Sequence, residues 1–130
     1  MVNIKFGTDG WRAIIAKEYT IDNLIRVSSA SARWMKDKGY KRVAIGFDCR
    51  FGGRMFGEYA ACVFADTGIE VVFDPNFTST PMVSLAVVKT DSDMGVVITA
   101  SHNPPSYNGF KLKSGFGGPT IPREIAEVEA

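Results

Sequence analysis

The sequence KRVAIGFDCR, at positions 41–50, decides the fold, because its apolar run Val43–Phe47 ends abruptly in the polar residues Asp48-Cys49-Arg50. A short apolar run of this kind predicts a buried strand that feeds a loop. Strand and helix patterns alternate downstream: a helix at Gly53–Thr67, a strand at Ile69–Phe73, a helix from its N-cap Thr80 to about Lys89, and a strand at Met94–Thr99. This alternation predicts an α/β fold, a three-layer αβα sandwich with a mainly parallel or mixed sheet in a single domain.

The regions on either side of this alternating block carry weaker patterns. Apolar residues at helical spacing predict an amphipathic helix over Thr20–Lys38, which ends at Gly39. The residues before it are expected to form a short strand or hairpin that carries Thr8-Asp9-Gly10. Helical spacing recurs over residues 121–128, but so short a helix is marginal on its own. This segment either docks tightly or belongs to a longer chain, and we favour the second interpretation.

The composition excludes several classes of protein. The chain has 130 residues, enough for one domain, with 45% hydrophobic and 22% charged residues, as is typical of a globular protein. A net charge of +1 predicts no polybasic surface, and no apolar run approaches the ~20 residues that span a bilayer. Cys49, Cys62 and the single His102 suit neither a disulfide framework nor a multi-histidine metal site. Without the apolar core of a signal peptide, we expect a cytoplasmic domain with neither nucleic-acid nor membrane partners.

The loop Thr99–Pro105, with the sequence TASHNPP, directly follows the last strand of the block. Ligands of open α/β sheets bind beyond the carboxyl ends of the strands, so chemistry is expected in this loop. Ser101 lies there between the small Ala100 and the polar His102, and two prolines stiffen the exit of the loop. The same residues also suit a turn in which serine and asparagine only cap backbone groups. From the residues alone, both interpretations stay open.

Three segments resemble motifs of one enzyme family. The sequence TASHNPPSYNGFK (99–111) resembles the phosphoserine signature of the α-D-phosphohexomutases, FGTDGWRA (6–13) resembles their N-terminal motif, and GFDCR (46–50) resembles a third motif. The resemblance covers the whole chain but only the first of the family's four domains. It implies that residues 1–130 are domain I of an enzyme of the phosphoglucomutase/phosphomannomutase type. Such an enzyme is an intramolecular phosphotransferase that interconverts hexose 1-phosphate and hexose 6-phosphate, with glucose or mannose as the sugar.

The resemblance implies that Ser101 carries the phosphoryl group in this reaction. Two transfers through an enzyme donor are easier than one direct transfer between two oxygens of the same sugar. In the family, Mg²⁺ bridges this phosphate to three aspartates of the second domain, so Ser101 would bind the metal through its phosphate. An activator of the glucose 1,6-bisphosphate type and the remaining domains of the parent chain are also implied. The sequence Asp91-Ser92-Asp93 is expected to form a turn at the opposite end of the sheet, so the fragment alone should be inactive.

Two cationic residues match positions that the family uses in catalysis. Lys111 corresponds to the lysine proposed as general acid/base, on a short strand or turn that returns past Ser101. The alternative is a solvent-facing lysine that acts on phosphate only as a point charge. Arg12 corresponds to the arginine that reaches the phosphoserine region, aimed by a turn at Asp9-Gly10. Lys113 has no counterpart in the family and is expected to lie at the surface.

Three further residues near Ser101 are assigned to substrate or phosphate binding, namely His102, Asn103 and Arg50. His102 is better suited to bind phosphate, or to support a neighbouring group of the site, than to bind a metal, because a multi-histidine site would need further histidines. Arg50 follows the first strand of the block and so lies at the same sheet edge as Ser101. An ion pair between Asp48 and Arg50 is the alternative, and both interpretations stay open.

Two other functions compete with phosphoryl transfer. A serine hydrolase would use Ser101, but the adjacent His102 is poorly placed to act on its neighbour's hydroxyl, and the sequence lacks a Gly-x-Ser-x-Gly elbow. The second alternative is a free-standing domain that binds sugar phosphates or a partner protein without catalysis. A parent sequence that continues into an Asp-Gly-Asp-Gly-Asp-like loop would exclude that alternative.

Overall fold

The computed structural model describes residues 1–7 and 10–130 of the chain. Their helices and strands are β1 Trp11–Ile14, α1 Ile21–Asp37, β2 Arg42–Phe47, α2 Gly53–Asp66, β3 Glu70–Phe77, α3 Thr80–Lys89, β4 Met94–Ile98, β5 Tyr107–Ser114 and α4 Pro122–Glu129. The helix predicted over Thr20–Lys38 is α1. Thr20 caps it, because its hydroxyl accepts a hydrogen bond from the Asn23 N–H at 3.3 Å.

The strands of the described residues form one mixed sheet in the order β1-β5-β4-β2-β3. Strands β3, β2 and β4 run parallel, whereas β5 runs antiparallel to both of its neighbours, β4 and β1. Helix α3 packs on one face of the sheet, and α2 covers the other face with α1 beside it and α4 against α1. The predicted three-layer α/β architecture with a mixed sheet is confirmed.

Alternation along β2 explains the two helical layers. Val43, Ile45 and Phe47 belong to the main core on the side of α1 and α2, whereas Gly46 faces α3. A Cβ atom at Gly46 would lie 2.5 Å from a methyl carbon of Val83. Glycine at this position therefore lets α3 pack directly on the backbone of the sheet.

Strand β3 and helix α3 differ from the prediction at the connection between them. The sequence Asp74-Pro75-Asn76 predicts an earlier end to the strand, but β3 continues through these residues to Phe77. Proline is tolerated because β3 is an edge strand, where a missing N–H need not break the ladder. The N-cap of α3 is Ser79 rather than Thr80, and the Ser79 hydroxyl accepts a hydrogen bond from the Met82 N–H at 3.3 Å.

Strand β5 is longer than the short strand or turn predicted around Lys111. It spans eight residues and lies inside the sheet, between β1 and β4. The expectation that Lys113 lies at the surface is wrong, because this residue is only 6% exposed. Lys113 pairs with Gly95 of β4, and the missing side chain of that glycine leaves room for the lysine stem.

The C-terminal helix α4 docks on α1. The Nε1–H of Trp34 donates a hydrogen bond to Oε2 of Glu127 at 2.8 Å, and Nζ of Lys38 lies 2.8 Å from the same oxygen. Val128 is buried in the core. Tight docking is therefore the arrangement that this short helix adopts. None of the helices described in residues 1–7 and 10–130 has the length and apolar character needed to cross a membrane.

Candidate active site

The loops that follow β2 and β4 meet at one edge of the sheet. The backbone N–H of Asp48, directly after β2, donates a hydrogen bond to the carbonyl of Ile98, the last residue of β4, at 3.1 Å. Strands β2 and β4 are neighbours in the sheet. After β2 the chain continues to β3 on one side of this pair, and after β4 it continues to β5 on the other side. Such a divergence opens the crevice in which α/β sheets bind ligands. Both loops selected from the sequence therefore lie at this crevice.

Ser101 lies exposed in the loop after β4. Its φ angle is 56°, in the left-handed region that residues other than glycine rarely adopt. The backbone N–H of Ser101 donates to the Thr99 hydroxyl at 3.0 Å, and that hydroxyl donates in turn to Oδ2 of Asp48. Asp48 therefore orients the Thr99 hydroxyl, which holds the backbone of Ser101. An exposed serine kept in a strained conformation is a candidate functional residue.

The side chain of Arg50 contacts the backbone of the same loop and is only 12% exposed. Its two terminal nitrogens donate hydrogen bonds to carbonyl oxygens: Nη2 to Ser101 (2.8 Å) and Asn103 (2.7 Å), Nη1 to Pro104 (2.8 Å) and Tyr107 (3.1 Å). Nε of Arg50 lies 3.7 Å from Oδ2 of Asp48. The ion pair that the sequence left open is therefore present, together with four hydrogen bonds to the loop.

Arg12 reaches the loop from β1. Its Nη1 donates a hydrogen bond to Oδ1 of Asn103 at 2.7 Å. Across the β1–β5 pair, Arg12 lies opposite Gly109, where a Cβ atom would come within 3.1 Å of Cγ of Arg12 and 2.5 Å of the Thr99 carbonyl oxygen. Glycine at 109 therefore permits this close approach. The turn predicted to aim Arg12 includes Asp9, which lies outside the described residues.

Lys111 lies inside β5, opposite Val97 of β4, and is 2% exposed. This burial excludes the interpretation of Lys111 as a solvent-facing lysine. Since residues two apart on a strand share a face, Lys111 lies on the same face of the sheet as Gly109 and its partner Arg12. Gly10 packs against this lysine, because a Cβ atom at Gly10 would lie 2.9 Å from Cγ of Lys111.

The three residues assigned to phosphate binding occupy different environments. His102 is exposed beside Ser101, Asn103 is half-buried and bonded to Arg12, and the side chain of Arg50 is mostly buried. His102 is therefore accessible to a ligand, whereas Asn103 and Arg50 already contact other parts of the protein.

Tyr19 is a residue of this region that the motifs do not reveal. Its hydroxyl donates a hydrogen bond to the Gly109 carbonyl at 2.9 Å, and its ring stacks on Trp11 with the centroids 4.8 Å apart. Burial raises the pKa of Tyr19 well above its usual value, and the Asp48 carboxylate raises it further. One sequence signal could have indicated that Tyr19 is buried. It lies directly before the N-cap Thr20, a position at which a hydrophobic residue often packs against the helix.

Acidic residues do not gather at Ser101 in the part of the chain that the structure describes. Among these residues, no group of three histidine, cysteine or acidic side chains could hold a metal ion. The sequence Asp91-Ser92-Asp93 forms the predicted turn, with Asp91 at a φ of 51°. Oδ2 of Asp93 accepts hydrogen bonds from the N–H groups of Lys41 (2.7 Å) and Arg42 (3.0 Å), at the start of β2 and so at the opposite end from Ser101.

Comparison with known proteins defines the class of this domain. Residues 3–130 match the family model described as phosphoglucomutase/phosphomannomutase, alpha/beta/alpha domain I. The chain belongs to this family, and the resemblance inferred from the three sequence motifs is confirmed.

Individual relatives agree with this assignment. The chain is 38% identical over 116 residues to a phosphoglucomutase of Neisseria meningitidis serogroup B, a match that covers 89% of this chain and 25% of the relative. It is 36% identical over 124 residues to a Pyrococcus furiosus protein assigned as a phosphoglucosamine mutase, a match that covers 95% of this chain and 26% of the relative. A Thermus thermophilus structure, assigned as a phosphomannomutase, matches with a TM-score of 0.96 and 37% identity over 98% of this chain and 29% of that one. The chain thus spans about a quarter of the length of these curated relatives.

Proposed function

We propose that this chain is the phosphoserine domain of a hexose-phosphate mutase, an intramolecular phosphotransferase that interconverts hexose 1-phosphate and hexose 6-phosphate. Glucose or mannose is the expected sugar. The observation that carries the proposal is the exposed Ser101, held at a φ of 56° at the carboxyl edge of the sheet by contacts of its loop with Arg12 and Arg50. The relatives support it, since their names are those of sugar-phosphate mutases.

The proposed reaction consists of two phosphoryl transfers. In the first, a hydroxyl oxygen of the sugar attacks the phosphorus of the Ser101 phosphate; the new O–P bond forms as the Oγ–P bond breaks, and its electron pair stays on Oγ. Lys111, as the general acid/base, takes the proton of the attacking hydroxyl and delivers a proton to the departing Oγ. In the second transfer, the other phosphoryl group of the hexose bisphosphate moves to Ser101 by the reverse step. The phosphoserine is restored and the isomeric hexose phosphate is released.

The charges around the loop suit a phosphorylated serine. A phosphoserine carries roughly −1.5 to −2 charges near neutral pH. The guanidinium group of Arg12 contacts the loop of Ser101 through Asn103, and charge-assisted contacts to phosphate are among the strongest polar interactions in proteins. Arg50 adds a positive charge beside the loop, while its terminal nitrogens donate to carbonyl oxygens. We propose that the exposed His102 and the neighbouring Asn103 bind a phosphate group of the substrate.

We also propose that Ser101 binds Mg²⁺ through its phosphate, because Mg²⁺ prefers phosphate oxygens as ligands. The donor set around the serine does not complete such a site. The nearby Asp48 carboxylate already accepts hydrogen bonds from the Thr99 hydroxyl and from the backbone N–H of Arg50. The transfer steps above therefore assign nothing to the metal. When bound, the ion would neutralise charge on the transferring phosphoryl group.

In our proposal, the complete enzyme also needs further domains and an activator. The remaining domains of the parent chain supply the other metal ligands and the sugar-binding groups, and a glucose 1,6-bisphosphate-type activator phosphorylates Ser101. We place this enzyme in the cytoplasm. The fragment of 130 residues alone is then expected to be inactive as a mutase.

The experiment that tests this function uses the intact protein, that is the full parent chain with its remaining domains, together with glucose 1,6-bisphosphate and glucose 1-phosphate. We expect mass spectrometry to find one phosphate on the peptide that contains Ser101, and we expect glucose 6-phosphate as the product. Ser101→Ala should abolish both results, whereas Ser106→Ala, a change of an exposed serine in the same loop, should preserve them. Binding of glucose 1-phosphate without phosphorylation or isomerisation would instead support the non-catalytic binding domain. Acylation of Ser101 by an inhibitor of serine hydrolases would support a hydrolase.

A further inference from the structure

We infer that Arg50 is a positioning residue: it holds the backbone of residues 101–107 and thereby places Ser101, without contacting the substrate. This inference rests on the proposed function, because it concerns how the serine is presented for phosphoryl transfer. The sequence predicts phosphate binding for Arg50, since guanidinium groups bind phosphate oxygens well. The contacts of its side chain support a different role.

The hydrogen-bond donors on both terminal nitrogens of Arg50 are engaged by the loop. A guanidinium group has five N–H donors. Four of them lie on Nη1 and Nη2, and each of these nitrogens donates to two carbonyl oxygens of the loop. The fifth donor is the N–H of Nε, and this nitrogen lies 3.7 Å from Oδ2 of Asp48. A substrate phosphate could therefore bind the terminal nitrogens of Arg50 only after the loop had released them.

The loop needs an external donor to keep this shape. Pro104 and Pro105 have no N–H, so they cannot donate hydrogen bonds within the loop. The loop's own backbone bonds run from the Asn103 N–H to the Ala100 carbonyl and from the Tyr107 N–H to the Pro104 carbonyl, both at 3.0 Å. Four carbonyl dipoles that converge on one point repel one another unless a cation with several donors lies between them. The planar guanidinium group of Arg50 meets this requirement.

The conformation of Ser101 depends directly on this contact. Its carbonyl oxygen accepts from Nη2 of Arg50 at 2.8 Å, and its N–H donates to the Thr99 hydroxyl at 3.0 Å. The two contacts lie on either side of a backbone held at a φ of 56°. A residue other than glycine persists in this region only when its surroundings hold it there. Loss of the Arg50 contact should therefore let Ser101 relax and move its hydroxyl.

The variant Arg50→Lys tests the inference in the intact protein. Lysine keeps the charge but supplies three donors from a single atom, so it cannot span four carbonyl groups. We expect amide hydrogen exchange over residues 99–108 to become about tenfold faster, as loss of a hydrogen bond predicts. Exchange in α1 should stay unchanged. Arg54→Lys, a change of an exposed arginine of α2 that pairs with Glu58, is the matched control and should alter neither region.

Mutase kinetics on the same proteins separate positioning from substrate binding. In Arg50→Lys, kcat should fall on the order of 10²-fold, the effect expected when a reacting group is displaced by about 1 Å. KM should change little, because the substrate loses no contact. Arg50→Gln is a second variant with the same expected pattern, in case the lysine variant does not fold.

Two results would overturn the inference. One is unchanged loop exchange, which together with a raised KM would make Arg50 a substrate ligand. The other is faster loop exchange with unchanged kcat, which would show that the loop's shape does not place Ser101. Because exchange is measured without substrate, an unchanged loop in Arg50→Lys overturns the inference even if the wild-type protein isomerises nothing. Failure of the wild type to isomerise hexose phosphates would, by contrast, contradict the proposed function itself.

Discussion

Nη1 of Arg12 lies 2.7 Å from Oδ1 of Asn103, so a single side-chain hydrogen bond joins residues that are 91 positions apart in the sequence. Arg12 belongs to the short strand β1, and Asn103 belongs to the loop that carries Ser101. The N-terminal motif and the serine motif, which are separate in the sequence, are thus in direct contact in the folded protein.

We expect Arg12→Lys and Asn103→Ala to have coupled effects on kcat/KM. Asn103→Ala removes the hydrogen bond and Arg12→Lys loses the planar guanidinium group that makes it, so the double variant should lose little more than the worse single variant. The coupling free energy from a double-mutant cycle should be about 1 kcal/mol. Asn76→Ala, a change on the exposed edge strand β3, is the control and should combine additively with Arg12→Lys. Additive losses for the Arg12 and Asn103 pair would show that the two residues act independently.

We expect Lys111→Met to lower kcat on the order of 10²–10⁴-fold with little change in KM, because the variant removes a group that transfers a proton. The pH profile of kcat/KM should lose or shift one of its limbs. Lys113→Met is the matched control, since Lys113 is also buried on the same face of β5. A profile for Lys111→Met that is lowered without any change of shape would mean that Lys111 acts only as a charge.

We expect Thr99→Val to lower the free energy of unfolding by about 1–3 kcal/mol, because it leaves the Ser101 N–H without its partner and removes one of the hydrogen bonds to the Asp48 carboxylate at a partly buried place. Urea unfolding measures this difference. Thr67→Val removes a single hydroxyl bond at the end of α2 and should cost less. Equal losses for the two variants would argue against a special role of the Thr99 hydroxyl.

We expect the protein to lose stability in alkaline solution through Tyr19. Burial raises the pKa of this tyrosine above its unfolded value of 10.0, so its contribution is complete below pH 10.0 and is lost as the pH rises through the folded pKa. The reason is that the unfolded chain releases the phenolic proton first. Tyr19→Phe should remove this part of the alkaline slope and cost about 1 kcal/mol at neutral pH.

Urea unfolding on both sides of pH 10.0 measures this effect. Tyr59→Phe, a change of an exposed tyrosine of α2, should leave the alkaline slope unaltered. If Tyr19→Phe and the wild type showed the same slope, the raised pKa of Tyr19 would not contribute to stability.

The order of β2, α2, β3, α3 and β4 could be predicted from the sequence, because apolar runs such as Val43–Phe47 are a local signal. The continuation of β3 through Pro75 could not, since proline is tolerated only because strand order places β3 at the edge. The burial of Lys113 could not be predicted from the sequence either. A polar residue predicts exposure, and the room for its stem comes from Gly95 on a neighbouring strand.

The candidate site was predictable to a similar extent. Ser101 and Lys111 lie in one continuous motif, and the position of Ser101 after a strand indicated the sheet edge. The contacts of Arg50 were not predictable, because its acceptors are backbone oxygens between 51 and 57 residues away, and a backbone oxygen leaves no trace in residue identity. Tyr19 was missed for the same reason, since its hydroxyl donates to the carbonyl of Gly109.

The acceptors of Arg50 in the loop are all main-chain oxygens, and every residue type possesses one. The contacts of Arg50 therefore do not depend on the side chains that project from the loop. We expect substitutions at exposed positions such as His102 and Ser106 to leave these contacts intact. Point substitutions at these positions should therefore change what the loop binds more readily than they change its path.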